Sequence, residues 1–414
     1  MTSASVRRRY LSDNTEVFDV RWREGGKSKT KGGFPSEKQA NAWAELLRRR
    51  GPEEAIRALN EPGSNHDTPT VNKYAETYIA SKSGVEPKTL EHYRMYMRES
   101  ISAAIGDLPI TMVTADHVAA WVNKQAQEPR VLKNGKTAGP YSAKTIKNRH
   151  GFLSAMFQHA QDRGVIPRNP CAGTRMPNTE RQEMTFLSPD EFTTLLEYIP
   201  ERHKPLVQTL GATGMRWGEV TALRHSDFDL DAQTVRISRA WKSSAERGWY
   251  VGAPKTKRSK RTISLPDGII PVLRDVVRTG SEYVFLNKSG QPIRQQNFYE
   301  AVWNPARRLA NGLPAYDATR KGKSWEGPRT GGVWDREPAE APIGKMPRIH
   351  DLRHSHASWL ISRGAPMTLI QRRMGHESIQ TTSDTYGHLS PEDMIVAARM
   401  VDQAMAGSLA VIEA

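Results

Sequence analysis

The sequence has little of what would place a protein outside the cell or within a membrane. A single cysteine, Cys171, in 414 residues leaves no intramolecular disulfide possible and fits a reducing compartment. No stretch reaches the roughly 18 consecutive apolar residues of a membrane span. The N-terminal MTSASVRRRYLSD lacks the apolar core of a secretory signal. These absences lead us to expect a cytoplasmic protein. Acidic side chains are also in short supply, 45 Asp and Glu against 60 Lys and Arg, for a net charge of +15. Such an imbalance is the electrostatic footprint of a nucleic-acid binder, though ribosomal and membrane-surface proteins share it. The length suggests two or three domains with adequate cores.

What is present concentrates between His350 and His388, HDLRHSHASWLISRGAPMTLIQRRMGHESIQTTSDTYGH. The pattern predicts a helix from near His350 that stops at Gly364-Ala365-Pro366. His350 and Arg353, three apart, then share a face. A second helix is expected from about Met367 to Met374, ending at Gly375 and delivering His376 just past its end. Ser378 offers an N-cap to a short segment carrying Tyr386. Two imidazoles, a guanidinium and a phenol have a common use if a phosphodiester lies among them. The plainer alternative is surface histidines and a packed tyrosine. A second arginine argues against it: Arg216 follows a Gly-rich break in LVQTLGATGMRWGEVTALRHSDFD, and Glu219 stands one helical turn on. A strand-like Thr234 to Ile237 and a basic hairpin, PKTKRSKRTISLP with Lys255 on its first limb, come next.

With Arg216 in GMRWGEV, Lys255 in PKTKRSKR, His350 and Arg353 in HDLRHSHA, His376 in MGHESI and Tyr386 in TYGH, in that order, the chain resembles the tyrosine recombinase family, especially phage-type integrases. The likeness is close from about Phe186 onward and looser before it. It implies a mainly α fold with small β-sheets (α+β). Residues 1–60 would form a β-β-β-α arm-type DNA-binding module and 61–69 a linker. Residues 70–173 would form a helical, SAM-like core-binding domain. After a linker at 174–185, residues 186–414 would form a mixed α/β catalytic domain with a C-terminal exchange helix.

The resemblance also implies a chemistry, metal-independent phosphoryl transfer without a cofactor. Tyr386 would attack a scissile phosphate to give a 3′-phosphotyrosyl link, with His350 as base and Lys255 as the acid for the leaving 5′ oxygen. Arg216, Arg353 and His376 would hold the phosphate, with Glu219 orienting Arg216. The implied partner is double-stranded DNA at the attachment sites of a mobile element, bound by a homotetramer on synapsed duplexes. A recombination directionality factor or a host DNA-bending protein would be further partners.

Along the rest of the chain, Phe18, Val20 and Trp22 alternate in a predicted strand, followed by a Gly/Lys turn whose Lys27, Lys29 and Lys31 could meet phosphates. Ser36 and Gln39 suggest a capping box for a helix through Trp43, Leu46 and Leu47 that ends at Arg48 to Arg50. Asn60 to Thr70 reads as a tether that sets this module apart. Tyr141, Lys144, Lys147 and Arg149 are candidate DNA contacts on the last helix of the core-binding region, as are Lys257 and Arg258 in the basic hairpin. The stretch between Ala310 and His350 is longer than the family usually needs, and its Arg320, Lys321, Lys323 and Arg329 could reach DNA or simply be solvated. Rival readings are a zinc site from His350, His354, His356 and His376, in which Arg353 would sit beside the cation; a type IB topoisomerase; and an inactive DNA-binding accessory protein. A degenerate site would favour the last, and none of the six positions is degenerate.

Overall fold

The computed structural model describes residues 3–60, 68–132, 135–178, 184–254, 256–277, 281–316, 336–380 and 401; side chains 57–60 and 257 are outside the description. The chain divides into two compact units, Met1–Arg181 and Gln182–Ala414. Among the described residues no helix is long and apolar enough to cross a membrane.

The first unit opens with an antiparallel sheet of β1 (Ala4–Tyr10), β2 (Glu16–Glu24) and β3 (Lys27–Phe34). The alternation in β2 works as expected: Phe18, Val20 and Trp22 are buried against α1 (Glu37–Asn60), where Trp43 and Leu47 close the core. One detail differs from the sequence reading. The turn is Gly25-Gly26, so Lys27, Lys29 and Lys31 lie on β3, in register with Glu24, Trp22 and Val20. The first helix ends after Arg50 as expected: Gly51 is non-helical (φ 84°, ψ 171°), and a second helical stretch starts at Pro52.

The helical part follows as α2 (Val71–Ala80), α3 (Pro87–Tyr96), which continues as a π-helical stretch to Gly106, α4 (Ala115–Gln127) and α5 (Ala143–Asp162). Thr114 and Ser142 cap α4 and α5. Tyr78, Ile101, Trp121, Phe152, Met156 and Phe157 make its core. A two-stranded hairpin, β4 (Arg130–Val131) and β5 (Thr137–Ala138), precedes α5. The sheet module is held against these helices: Lys38 Nζ donates to Ala103 O (3.1 Å), Gln39 Nε2 to Asp107 O (2.9 Å), and Met112 fills the module's core.

In the second unit, Ser188 and Glu191 form a reciprocal capping box with Pro189 at the first position of α6 (Pro189–Glu197). α7 (Lys204–Thr213) and the one-turn α8 (Trp217–Val220) follow. A small antiparallel sheet, ordered β10 (Arg261–Ser264), β7 (Thr234–Ile237), β6 (Phe228–Asp229), lies beside the separate hairpin of β8 (Ala240–Ser244) and β9 (Gly248–Gly252). α9 (Ile270–Val276), α10 (Gln295–Phe298) and α11 (Asn304–Leu309) complete the wall. The core runs from Leu206, Leu210 and Val220 through Val235 and Ile237 to Trp303 and Leu352. The last described helices are α12 (Asp351–Ile361) and α13 (Met367–Met374). Leu352, Ser355, His356 and Ala357 of α12 are buried, and Ser355 Oγ accepts from Leu187 N at 2.9 Å.

Candidate active site

Three segments far apart in sequence deliver the site. α7 ends in Thr213, and Gly214 takes the left-handed conformation (φ 64°) that terminates it. The chain then turns so that Arg216 becomes the N-cap of α8 and Glu219 its third residue. Glu219 Oε2 accepts from the Arg216 backbone N–H at 3.0 Å and Oε1 from Arg216 Nη1 at 2.9 Å. Glu219 is 2% exposed, and Arg261 Nη2 reaches the same carboxylate at 3.1 Å. Burial alone would raise this carboxyl, but Arg261 and Arg216 hold it below its usual range. Arg216 keeps about a third of its side chain open to solvent.

His350 is the N-cap of α12 and Arg353 lies one turn on. The Arg353 guanidinium is buried between two main-chain carbonyls, donating from Nη1 to Gly214 O and from Nη2 to Met374 O, each at 2.5 Å. α13 ends at Gly375, again left-handed (φ 64°), and His376 follows, 8% exposed. Burial, then His354, then the Arg353 and Arg216 guanidiniums push His350 down to about 4. Burial, Arg353 and Arg216, with His354 and Arg261 behind them, push His376 down to about 3. Both imidazoles are therefore neutral near pH 7, and both feel the same two arginines. Two guanidiniums beside two neutral imidazoles make a setting suited to an anion.

Arg216, Glu219, His350, Arg353 and His376 thus converge. Lys255 and Tyr386 lie outside the described residues, as do Arg320, Lys321, Lys323 and Arg329. Lys257 opens a short turn, Lys257–Ser259, and Arg258 is exposed, donating from Nη1 to Glu377 O at 2.8 Å. His354 lies edge-on to His350, with ring centroids 5.0 Å apart. His356 does not join a histidine cluster. Its Nδ1 bonds Gly211 O (2.9 Å) and its Nε2 accepts from Arg373 Nε (3.0 Å), which leaves no lone pair for a cation.

The other candidate DNA contacts divide. Lys144 and Lys147 are exposed on the first turns of α5. Arg149 is a correction: it is 2% exposed, facing inward with Nη1 on Gln125 Oε1 (2.9 Å), Nη2 on Glu99 Oε2 (3.3 Å) and its guanidinium 3.9 Å from the Tyr141 ring centroid. The Tyr141 ring also carries the Arg130 guanidinium, 4.7 Å from its centroid. Lys27, Lys29 and Lys31 are exposed, with Lys29 paired to Glu24 at 2.8 Å. The sheet's outer face carries cations that the sequence reading passed over: Arg7, Arg9, Arg21 and Arg23, of which Arg9 pairs with Asp19. The signal was available, since the alternation that buries Val20 and Trp22 turns Arg21 and Arg23 outward.

Comparison with known proteins gives two family matches. Residues 185–316 and 331–393 match the phage integrase family, and residues 70–125 match its N-terminal SAM-like domain. A putative prophage phiRv2 integrase of Mycobacterium tuberculosis is 28% identical over 349 residues, 83% of this chain and 81% of the relative. A tyrosine recombinase XerC-like protein of Caldanaerobacter subterraneus subsp. tengcongensis is 27% identical over 324 residues, 73% of each chain. Among solved structures, the Tn1549 transposon integrase in complex with a circular intermediate DNA superposes with a TM-score of 0.63 at 20% identity, over 80% of this chain and 99% of that one, a likeness of fold.

Proposed function

Because the chain belongs to the phage integrase family, we propose that it is a site-specific DNA recombinase that integrates a mobile element by cutting and rejoining strands through a 3′-phosphotyrosyl link. One observation carries this reading: Arg216 and Arg353, 137 positions apart in sequence, act on the same two neutral imidazoles, His350 and His376. Two guanidiniums and two imidazole N–H groups around one point suit a tetrahedral phosphodiester, whose non-bridging oxygens gain charge as the transfer proceeds.

In the proposed reaction the Tyr386 phenol oxygen bonds to phosphorus and the P–O5′ bond breaks. An ordinary phenol, with a pKa of about 10, needs a base at neutral pH, and His350 would take that proton once the bound phosphate's negative charge raises its basicity. Lys255 supplies the proton that the leaving 5′ oxygen takes up. Glu219 sets the aim of Arg216. The free energy of the broken bond stays in the phosphotyrosine, so a partner strand's 5′-hydroxyl can reverse the step.

The assignment of residues 1–60 to arm sites, 70–173 to the core site and 186–414 to catalysis belongs to this proposal. So does work on DNA in the cytoplasm as a homotetramer, with directionality or DNA-bending factors assisting. On the first 60 residues, Arg7, Arg21 and Arg23 form the face suited to a groove, since a β-ribbon fits the major groove. Lys144 and Lys147 are the α5 residues placed for phosphate contact.

Tyr386→Phe removes one oxygen. The variant should bind a core site as the intact protein does and form no covalent adduct on a nicked suicide substrate. An adduct persisting in that variant would place the nucleophile elsewhere.

A further inference from the structure

Arg261 opens β10 with a side chain only 7% exposed, and three parts of the site meet on its guanidinium. Nη2 donates to Glu219 Oε2, the carboxylate that also grips Arg216. Nη1 donates at 2.9 Å to the carbonyl of Ser259, in the turn that follows Lys255 and Thr256. Nε donates at 2.7 Å to the carbonyl of Arg373, three residues before His376.

The surroundings are built around this group. Ser259 is fully buried, with its hydroxyl 2.9 Å from Thr256 Oγ1 and 3.5 Å from Arg216 Nη1. A methyl on Gly375 would stand 2.9 Å from Arg261 Nη1 and 3.2 Å from Arg258 O, in a backbone conformation (φ 64°) already suited to glycine. Burying a guanidinium is costly unless its N–H groups are met, and here three named acceptors from three segments meet them.

We propose that Arg261 is a positioning residue for strand transfer, locking the turn after Lys255, the carboxylate behind Arg216 and the end of α13 before His376 into one arrangement ahead of DNA binding. This rests on the recombinase reading above. Arg261 touches none of the reacting atoms. A planar fork serves three acceptors in three directions, whereas a lysine ammonium in its place would reach one or two. Loss of the fork should therefore loosen the turn that follows the proton donor and the helix end together.

The test uses full-length protein, Arg261→Lys and Arg261→Met, on suicide substrates with a 5′-bridging oxygen or a 5′-bridging sulfur. With sulfur, the P–S bond breaks and a thiolate leaves without needing a proton. Both variants should bind a core site within about threefold of the intact protein yet form adduct about 100-fold more slowly on the oxygen substrate, the scale of a small misplacement. On the sulfur substrate the deficit should shrink to about tenfold, because the step that depends on the Lys255 turn is bypassed. Adduct formation at the intact rate would overturn the proposal. Equal losses of binding and of cleavage on both substrates, with a lowered melting temperature, would also overturn it by showing a folding role alone. An intact protein that forms no Tyr386 adduct would instead sink the recombinase reading.

Discussion

Arg353 Nη1 and the Gly214 carbonyl are joined at 2.5 Å, which ties the buried arginine of α12 to the break just before Arg216. That carbonyl points correctly because Gly214 holds φ at 64°, and a Cβ there would lie 2.6 Å from His356 Cδ2 and 2.9 Å from Met374 Sδ. Gly214→Ala should therefore destabilise the second unit by at least the roughly 1–3 kcal/mol of a non-glycine residue in the left-handed region. Adduct formation should fall further than that loss explains, since both arginines move. Urea unfolding and suicide cleavage on one preparation measure the two effects, and an unaltered cleavage rate would show the link to be slack.

A second prediction concerns pH. Burial first, and then neighbouring cations, hold His203, His350 and His356 at about 4 and His376 at about 3, all below the ordinary 6.5. As pH falls through 6.5 the unfolded chain takes up protons before the folded one does. Stability is thus complete above 6.5 and is lost progressively between 6.5 and about 3. His356, 6% exposed, contributes on the order of 3 kcal/mol to that dependence. His356→Asn should flatten the fall in unfolding free energy between pH 7 and pH 5. Parallel curves for the two proteins would remove His356 from the account.

How much of this was legible depended on the range of each contact. The three-residue spacing of Arg216 and Glu219, and the glycine stops before Arg216 and His376, are local and follow from helix geometry. Arg149 sits among basic neighbours, Lys144 and Lys147, that suggest a solvent-facing surface. Yet Ile146, Phe152, Leu153 and Met156 mark the buried stripe of α5, and Arg149 falls on it. Its partners Gln125 and Glu99 come from other helices and could not be foreseen. The same holds for Arg261, whose bond to Arg373 O spans 112 positions. The tether expected between module and helices hid a packing contact, since nothing in the sequence near Met112 announces that it completes a core with Phe18 and Trp43.

A third prediction separates the arginine pair from metal chemistry. Arg216 and Arg353 carry the positive charge that a divalent ion would otherwise supply to the phosphate. Cleavage of a suicide substrate should proceed at the same rate in excess EDTA. A rate abolished by chelation and restored by zinc or magnesium would contradict the mechanism.

A fourth concerns Lys255. If it protonates the leaving oxygen, a 5′-bridging sulfur should restore cleavage to Lys255→Ala and leave Arg216→Ala impaired, because Arg216 acts on non-bridging oxygens that sulfur leaves unchanged. Rescue of both variants, or of neither, would take the role from Lys255.

The last prediction addresses the N-terminal sheet. Deleting residues 1–60 would be a poor test, because Met112 would be uncovered and the bonds from Lys38 and Gln39 to the helical part would be lost. Point changes on the outer face avoid this. Arg7, Arg21 and Arg23 are exposed on strands whose inner residues make the core, so replacing them with glutamine leaves the packing intact. Each arginine that meets a phosphate should steepen the log-log salt dependence of DNA binding by about 0.9. The triple variant should therefore lose up to about 2.7 from the slope on a full attachment site. On an isolated core site its slope and cleavage rate should match those of the intact protein. Integration into the full site should fall, because a second contact on the same DNA raises local concentration at the core rather than changing the chemistry. A slope that is unchanged on the full site would assign the sheet to folding, and one that falls equally on both substrates would place these arginines at the core site instead.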